Sequence, residues 1–132
     1  MIFRNNICVG GAESLATHLI QVNRLQALLL SHNRVCDDGA KAIAEALRKN
    51  TSLQELTLKH NEIGVRGLTE LGNSLYKNNS LRFLSLWGNA FEMQSCHLFF
   101  DLCEQRLPYT GLALDVHPYI VDGVHYVAER SL

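Results

Sequence analysis

The sequence predicts an α/β solenoid: a right-handed stack of strand–helix units with parallel strands on the concave side, helices outside and a β-hairpin cap at the C-terminal end. Three observations predict it. Leu25, Leu28, Leu30 and Asn33 return 28 residues later as Leu53, Leu56, Leu58 and Asn61, and again as Leu81, Leu84, Leu86 and Asn89. Leucine is 22 of 132 residues. Nine prescribed sites all being Leu by chance is therefore on the order of one in ten million, and a fixed period in this range marks a repeat architecture. Each block then continues with apolar residues at helical spacing, and the last stretch of the chain abandons the period for a hairpin pattern.

One unit shows how the pattern builds structure. In Leu56-Thr57-Leu58 the side chains alternate across a short strand, so Leu56 and Leu58 face the core while Glu55, Thr57 and Lys59 face outward. Asn61 stands where the chain must turn, and its amide is suited to bond backbone groups that the curve leaves orphaned. Ile63 returns to the core. Residues 65–77 read as a helix, with Leu68, Leu71 and Leu75 on one face and Gly67 allowing close approach to the strand layer. Asn78-Asn79-Ser80 ends it, as Asn50-Thr51-Ser52 ends its predecessor. The sister helices span 10–22, 38–49 and 92–105, with Asp37 as N-cap of the second. In the fourth, Ser95, Phe99 and Phe100 stand where Gly67, Leu71 and Gly72 stand in the third, so that helix should sit farther from the strands or be packed by bulkier groups.

Extending the frame places Leu112 and Leu114 in a fourth strand, with Tyr109 in the first Leu place and His117 in the Asn place. Backwards, Asn5 falls in the Asn place and Ile2 where Leu30 sits, so the frame opens inside a repeat. The expectation is the C-terminal portion of a longer protein, monomeric, with self-association open to an uncapped N-terminal end. Repeats occupy residues 1–117, and 118–132 form a hairpin cap and tail in which Val121 faces Val124 and Tyr119 faces Tyr126.

Bulk properties narrow the function. The net charge of −1 argues against a nucleic-acid face or an anionic membrane surface. No apolar stretch approaches spanning length. Cys8 and Cys36 share one repeat position, and Cys96 and Cys103 share one helix. Without C-x-x-C spacing these read as reduced thiols of an intracellular compartment, not a zinc site. There is no G-x-S-x-G, phosphate-binding Gly loop or H-E-x-x-H. A non-enzymatic protein without a cofactor is expected.

L-x-x-L-x-L-x-x-N at a 28-residue period, with Gly six residues after the Asn, resembles the ribonuclease-inhibitor class of leucine-rich repeats over residues 2 to about 117. The resemblance implies a curved solenoid that binds proteins; the class serves inhibitors, GTPase-activating proteins, immune sensors and actin-capping proteins. The D-V-x-P-Y-x-V-D-G run from Asp115 to Gly123 resembles the tail of a vertebrate intracellular member. That implies the cytoplasm, nucleus or nucleolus and a link to germ or stem cell differentiation.

Outward strand positions stack in columns about 4.8 Å per rung. At constant period these are Ala27, Glu55, Phe83, Gly111; Leu29, Thr57, Ser85, Ala113; and Phe3, Ser31, Lys59, Trp87, Asp115, with Arg4, His32, His60, Gly88 just beyond. Phe83 and Trp87 lie on one strand and one face, outside the repeat core, where exposed aromatics serve as interface anchors. The expected partner-binding set is Phe83 and Trp87 with Glu55, Lys59 and Asp115 setting charge complementarity. The alternative for the rings is packing on each other or under the tail. His32 and His60, about 5 Å apart, read as a surface pair lacking a third metal ligand. A regulator of an enzyme or small GTPase, using Arg4, Arg34 or Arg66, is a second reading. A structural end segment without its own ligand is a third.

Overall fold

A computed structural model describes residues 7–130; Ile2, Phe3, Arg4 and Asn5, placed above by the period, lie outside the described residues. The elements alternate as expected: α1 (Val9–Val22), β1 (Ala27–Leu29), α2 (Cys36–Leu47), β2 (Glu55–Thr57), α3 (Val65–Ser74), β3 (Phe83–Ser85), α4 (Met93–Gln105) and β4 (Ala113–Leu114), then β5 (Val116–Val121) and β6 (Val124–Glu129). The first four strands form one sheet in chain order, parallel throughout, and the last two form an antiparallel hairpin. Leu28, Leu30, Leu53, Leu56, Leu58, Leu84 and Leu86 are completely buried between the sheet and the helices. Burial of these repeated leucines is the main apolar contribution to the fold.

Three short strand pairings cannot hold a parallel sheet by themselves, and buried side-chain amides complete them. Asn61 is fully buried. Its Nδ2 donates to Leu30 O at 2.8 Å, one rung back, and its Oδ1 accepts from Val35 N at 3.4 Å. Asn89 repeats the arrangement, donating to Leu58 O at 2.8 Å and accepting from the amides of Asn61 and Ile63. A second ladder runs along the opposite edge. Asn50 donates to Leu19 O and Asn78 to Leu47 O, each at 2.8 Å, while their carbonyl oxygens accept from Leu53 N and Leu81 N. The repeated N-x-S spacing marked a helix end in the sequence; its bridging role between rungs appears only in three dimensions.

Two helix-level expectations change. Asp37 lies inside α2, not at its N-cap. Its Oδ1 instead accepts from Gly64 N at 2.7 Å and Gly67 N at 3.0 Å. Gly64, the N-cap of α3, has no side chain to offer, so the preceding helix supplies the capping oxygen. Gly67 permits close approach to α2 and to the turn that follows β2, rather than to the strands themselves: a Cβ there would stand 2.6 Å from Ile63 Cγ2, 2.8 Å from Asp37 Oδ1 and 2.9 Å from Ala40 Cβ. Gly39 meets Ala12 of α1 in the same way. In α4 the Gly position is Ser95, whose hydroxyl accepts from Glu92 N at 2.9 Å, and Phe99 fills the core below it.

The fourth rung departs from the period. Phe83 pairs with Ala113 and Leu84 with Leu114, an offset of 30 residues. Pro108 ends α4 in a single 3₁₀ turn, Leu107–Tyr109, and Gly111 reverses the chain at φ 73°. This connection lengthens the repeat by two residues. Because strand side chains alternate with a period of two, Leu114 still faces the core, and Leu112 is only half-buried. Tyr109 is 84% exposed and does not take the first Leu place. His117 is exposed on β5 and does not take the Asn place. The hairpin begins at Val116, two residues before the expected boundary, and has the expected register, Tyr119 opposite Tyr126 and Val121 opposite Val124. Asp122 and Gly123, at φ 51° and 78°, form its tight turn.

The glycines separate by environment, which is testable. Gly67→Ala is expected to lower stability by about 1–3 kcal/mol through overpacking. Gly10→Ala, in α1 where nothing lies within 4 Å of the new methyl, is expected to raise it by about 0.5–1 kcal/mol. Urea unfolding of both variants measures the contrast.

Candidate partner-binding surface

The outward face of the sheet carries Leu29 and Ser31 on the first rung, Glu55, Thr57 and Lys59 on the second, Phe83, Ser85 and Trp87 on the third and Ala113 on the fourth. Strand register puts Glu55 beside Phe83 and Thr57 beside Ser85. Glu55 is exposed; Phe83, Lys59 and Trp87 are half-buried. Among the described residues no ring contact joins Phe83 to Trp87. Trp87 does pack against the edge of the core, so it is not wholly outside the repeat interior as the pattern implied. The residue remains partly exposed. Phe83 stands beside Ala113, a small neighbour, where the uncorrected period had placed Gly111.

Asp115 is not available to a partner. It is 4% exposed, and its register position beyond Ala113 sets it opposite Ser85, not Trp87. Its Oδ2 accepts from Ser85 Oγ at 2.8 Å, and its Oδ1 from Leu86 N at 2.6 Å. Both oxygens also receive Trp87 N, at 3.3 and 3.2 Å. In the earlier rungs the matching amide bonds the next strand's carbonyl: Leu30 N to Thr57 O, Leu58 N to Ser85 O. After β3 no such carbonyl follows, because Asp115 O turns to accept Arg130 N at 2.7 Å from the end of the hairpin. The carboxylate therefore closes the ladder and fixes the backbone that carries Trp87. Lys59 Nζ lies 4.0 Å from Oδ2 and balances the buried charge across one rung.

The histidine pair stacks, with ring centroids 4.8 Å apart and planes at 20°. Both residues have positive φ, and His60 lies over Gly88, where any Cβ would collide with the imidazole. A second histidine pair was not anticipated. His97 Nδ1 of α4 lies 3.0 Å from His125 Nε2 of β6, and His97 Nε2 lies 3.3 Å from Asp101. Phe100 packs edge-on against His125, so this cluster fastens the hairpin to α4. Burial raises the Cys36 thiol, with the Glu62 carboxylate adding to it; burial likewise raises Cys96 and Cys103.

A family model described as leucine rich repeat matches residues 24–44 and 49–72. Together with the parallel sheet and its asparagine turns, this decides the fold. The chain's fold is that of a leucine-rich repeat solenoid. A solved structure of the leiomodin-1 actin-binding site 2 is similar to it, with a TM-score of 0.76 at 21% identity, covering 89% of this chain and 72% of that one. At that identity the likeness speaks for the leucine-rich repeat fold alone. No curated protein sequence matches. In the described residues no helix is long and apolar enough to cross a membrane.

The chain has one tryptophan, so its fluorescence reports the capped rung. Asp115→Ala leaves buried N–H groups without acceptors and is expected to cost about 2–4 kcal/mol. Trp87 emission should shift to longer wavelength under native conditions, with Asp115→Asn intermediate.

Proposed function

We propose that this leucine-rich repeat surface is a non-catalytic protein-binding module whose partner docks on the concave face. Phe83 and Trp87 anchor the partner, with Glu55 and Lys59 setting the charge around them. The observation that carries this reading is Trp87: half-buried, packed against the core, and with its backbone N–H bonded to Asp115. A large ring restrained before binding loses little further conformational freedom on association, which is the property of an interface anchor. Phe83 on the same strand extends the apolar contact. Asp115, first placed in the contact set, contributes by positioning.

The similar solved structure is named for an actin-binding site, which makes actin the first partner to test. The tail's resemblance to leucine-rich repeat-containing protein 34 points to a cytoplasmic or nuclear protein acting through partners in germ or stem cell differentiation. The regulator reading would use an unengaged arginine at the rim. Arg34 lies 4.0 Å from Glu62 and Arg66 lies 2.9 Å from Asp38, while Arg4 lies outside the described residues, so no observation favours it. An end segment without a ligand would have no use for a pre-held aromatic.

Phe83→Ala with Trp87→Ala is expected to weaken binding by about 2 kcal/mol or more, roughly thirtyfold. Pull-down from cell extract followed by titration of the recovered partner, with actin co-sedimentation alongside, measures it. Equal recovery by wild type and the double variant, with circular dichroism unchanged, would remove the aromatic pair from the site.

A further inference from the structure

We propose that a groove on the helix C-terminal edge of the solenoid, between the second and third repeats, binds a carboxylate-rich peptide segment. The groove has a volume of about 360 Å³ and is lined by Arg48, Lys77 and Arg82 together with Gln54, Asn79 and other uncharged residues. None of its lining residues is acidic. The larger groove on the outer surface between α2 and α3 is different in kind, because there Lys41 and Arg66 are offset by Asp37, Asp38 and Glu70.

Cations at helix C-termini ordinarily answer the unpaired carbonyls of the last turn. Here that need is already met. At the end of α2, Leu47 O accepts from Asn78, and at the end of α3, Gly72 O, Asn73 O and Ser74 O accept from the amides of Leu75, Tyr76 and Asn78. Among the described residues neither Lys77 nor Arg82 lies within ion-pair distance of a carboxylate. Arg48 has one, Glu70 at 3.7 Å. Arg82 belongs to no helix. Its Nη1 donates to Asn79 O at 2.8 Å and Leu81 O at 3.2 Å, which orients the guanidinium and leaves Nε and Nη2 without an acceptor among the described residues. An oriented guanidinium beside an ammonium suits the planar, two-oxygen geometry of carboxylates.

A peptide fits better than a nucleic acid. The lining contains no aromatic ring on which a base would stack, and three cations in one groove fall short of a backbone-tracking stripe. Gln54 offers an amide for peptide groups. Gln54 and Arg82 also immediately precede Glu55 and Phe83 in the chain, so a bound segment would run alongside the concave face without needing it.

A fluorescein-labelled hexaglutamate peptide, followed by anisotropy on the intact chain, tests this directly. Saturable binding that weakens as salt rises is expected. Lys77→Glu with Arg82→Glu should weaken it about a hundredfold, in line with losing two charge-assisted contacts. Lys41→Glu with Arg66→Glu, an equal change of net charge on the other groove, should leave it within about twofold. Phe83→Ala with Trp87→Ala should also leave it unchanged, which separates this site from the concave one. Absence of saturable binding, equal weakening by the two charge reversals, or equally tight binding of a labelled oligouridylate would overturn the proposal. If the first reversal fails to fold, Lys77→Gln with Arg82→Gln serves with the same expectation of marked weakening.

Discussion

The structure depends on a polar interaction inside an apolar stack: a buried amide that bonds the backbone of the neighbouring rung. A strand of three residues offers too few ladder bonds to fix a parallel pairing, and every turn of a solenoid leaves amides and carbonyls pointing into its own interior. Asn61 and Asn89 answer this at one end of the strands and Asn50 and Asn78 at the other. Each is both donor and acceptor, which only an amide side chain of this length provides. The leucines supply most of the apolar burial, but leucines alone would tolerate sliding of one rung past the next. The amides restrict the stack to one register.

The same constraint explains how the stack ends. β4 is shorter than β3 and leaves the amides that follow β3 without a strand partner, a liability of any sheet edge. Asp115 meets it with a carboxylate in place of a carbonyl, and the hairpin closes over the end through Arg130. The capping group also holds the rung that carries Trp87. Termination of the fold and presentation of the aromatic therefore rest on one residue, and Lys59, on the rung before, ties the charge of that residue to the concave face.

Most of the fold was legible in the sequence because it repeats. Copies of Leu56, Leu58 and Asn61 reinforce each other, and Asp122-Gly123 specifies a hairpin turn locally. What escaped was whatever is not periodic or local. The two-residue insertion around Pro108 and Gly111 preserved the inward leucine while moving Asp115 from beside Trp87 to beside Ser85, and alternation alone cannot register such a shift. Asp37 looked like a cap for its own helix because the glycine it serves lies one repeat away. The second asparagine ladder was visible as N-x-S spacing, but spacing does not say whether an amide caps its own turn or reaches the next. For the concave surface, the sequence located Phe83, Trp87, Glu55 and Lys59 on one face; the hold on Trp87 needed coordinates. The basic groove draws on residues from separate loops and left no charge run to detect.

Amide hydrogen exchange tests the central claim, that side chains of one rung complete the backbone of the rung before. Val35 N, Ile63 N and Leu86 N donate to Asn61, Asn89 and Asp115 respectively. All three should exchange only with global unfolding, as slowly as Leu30 N and Leu58 N, which donate to backbone carbonyls. Fast exchange of the three, with Leu30 and Leu58 still protected, would show that the side-chain ladder does not hold the stack and would contradict the account.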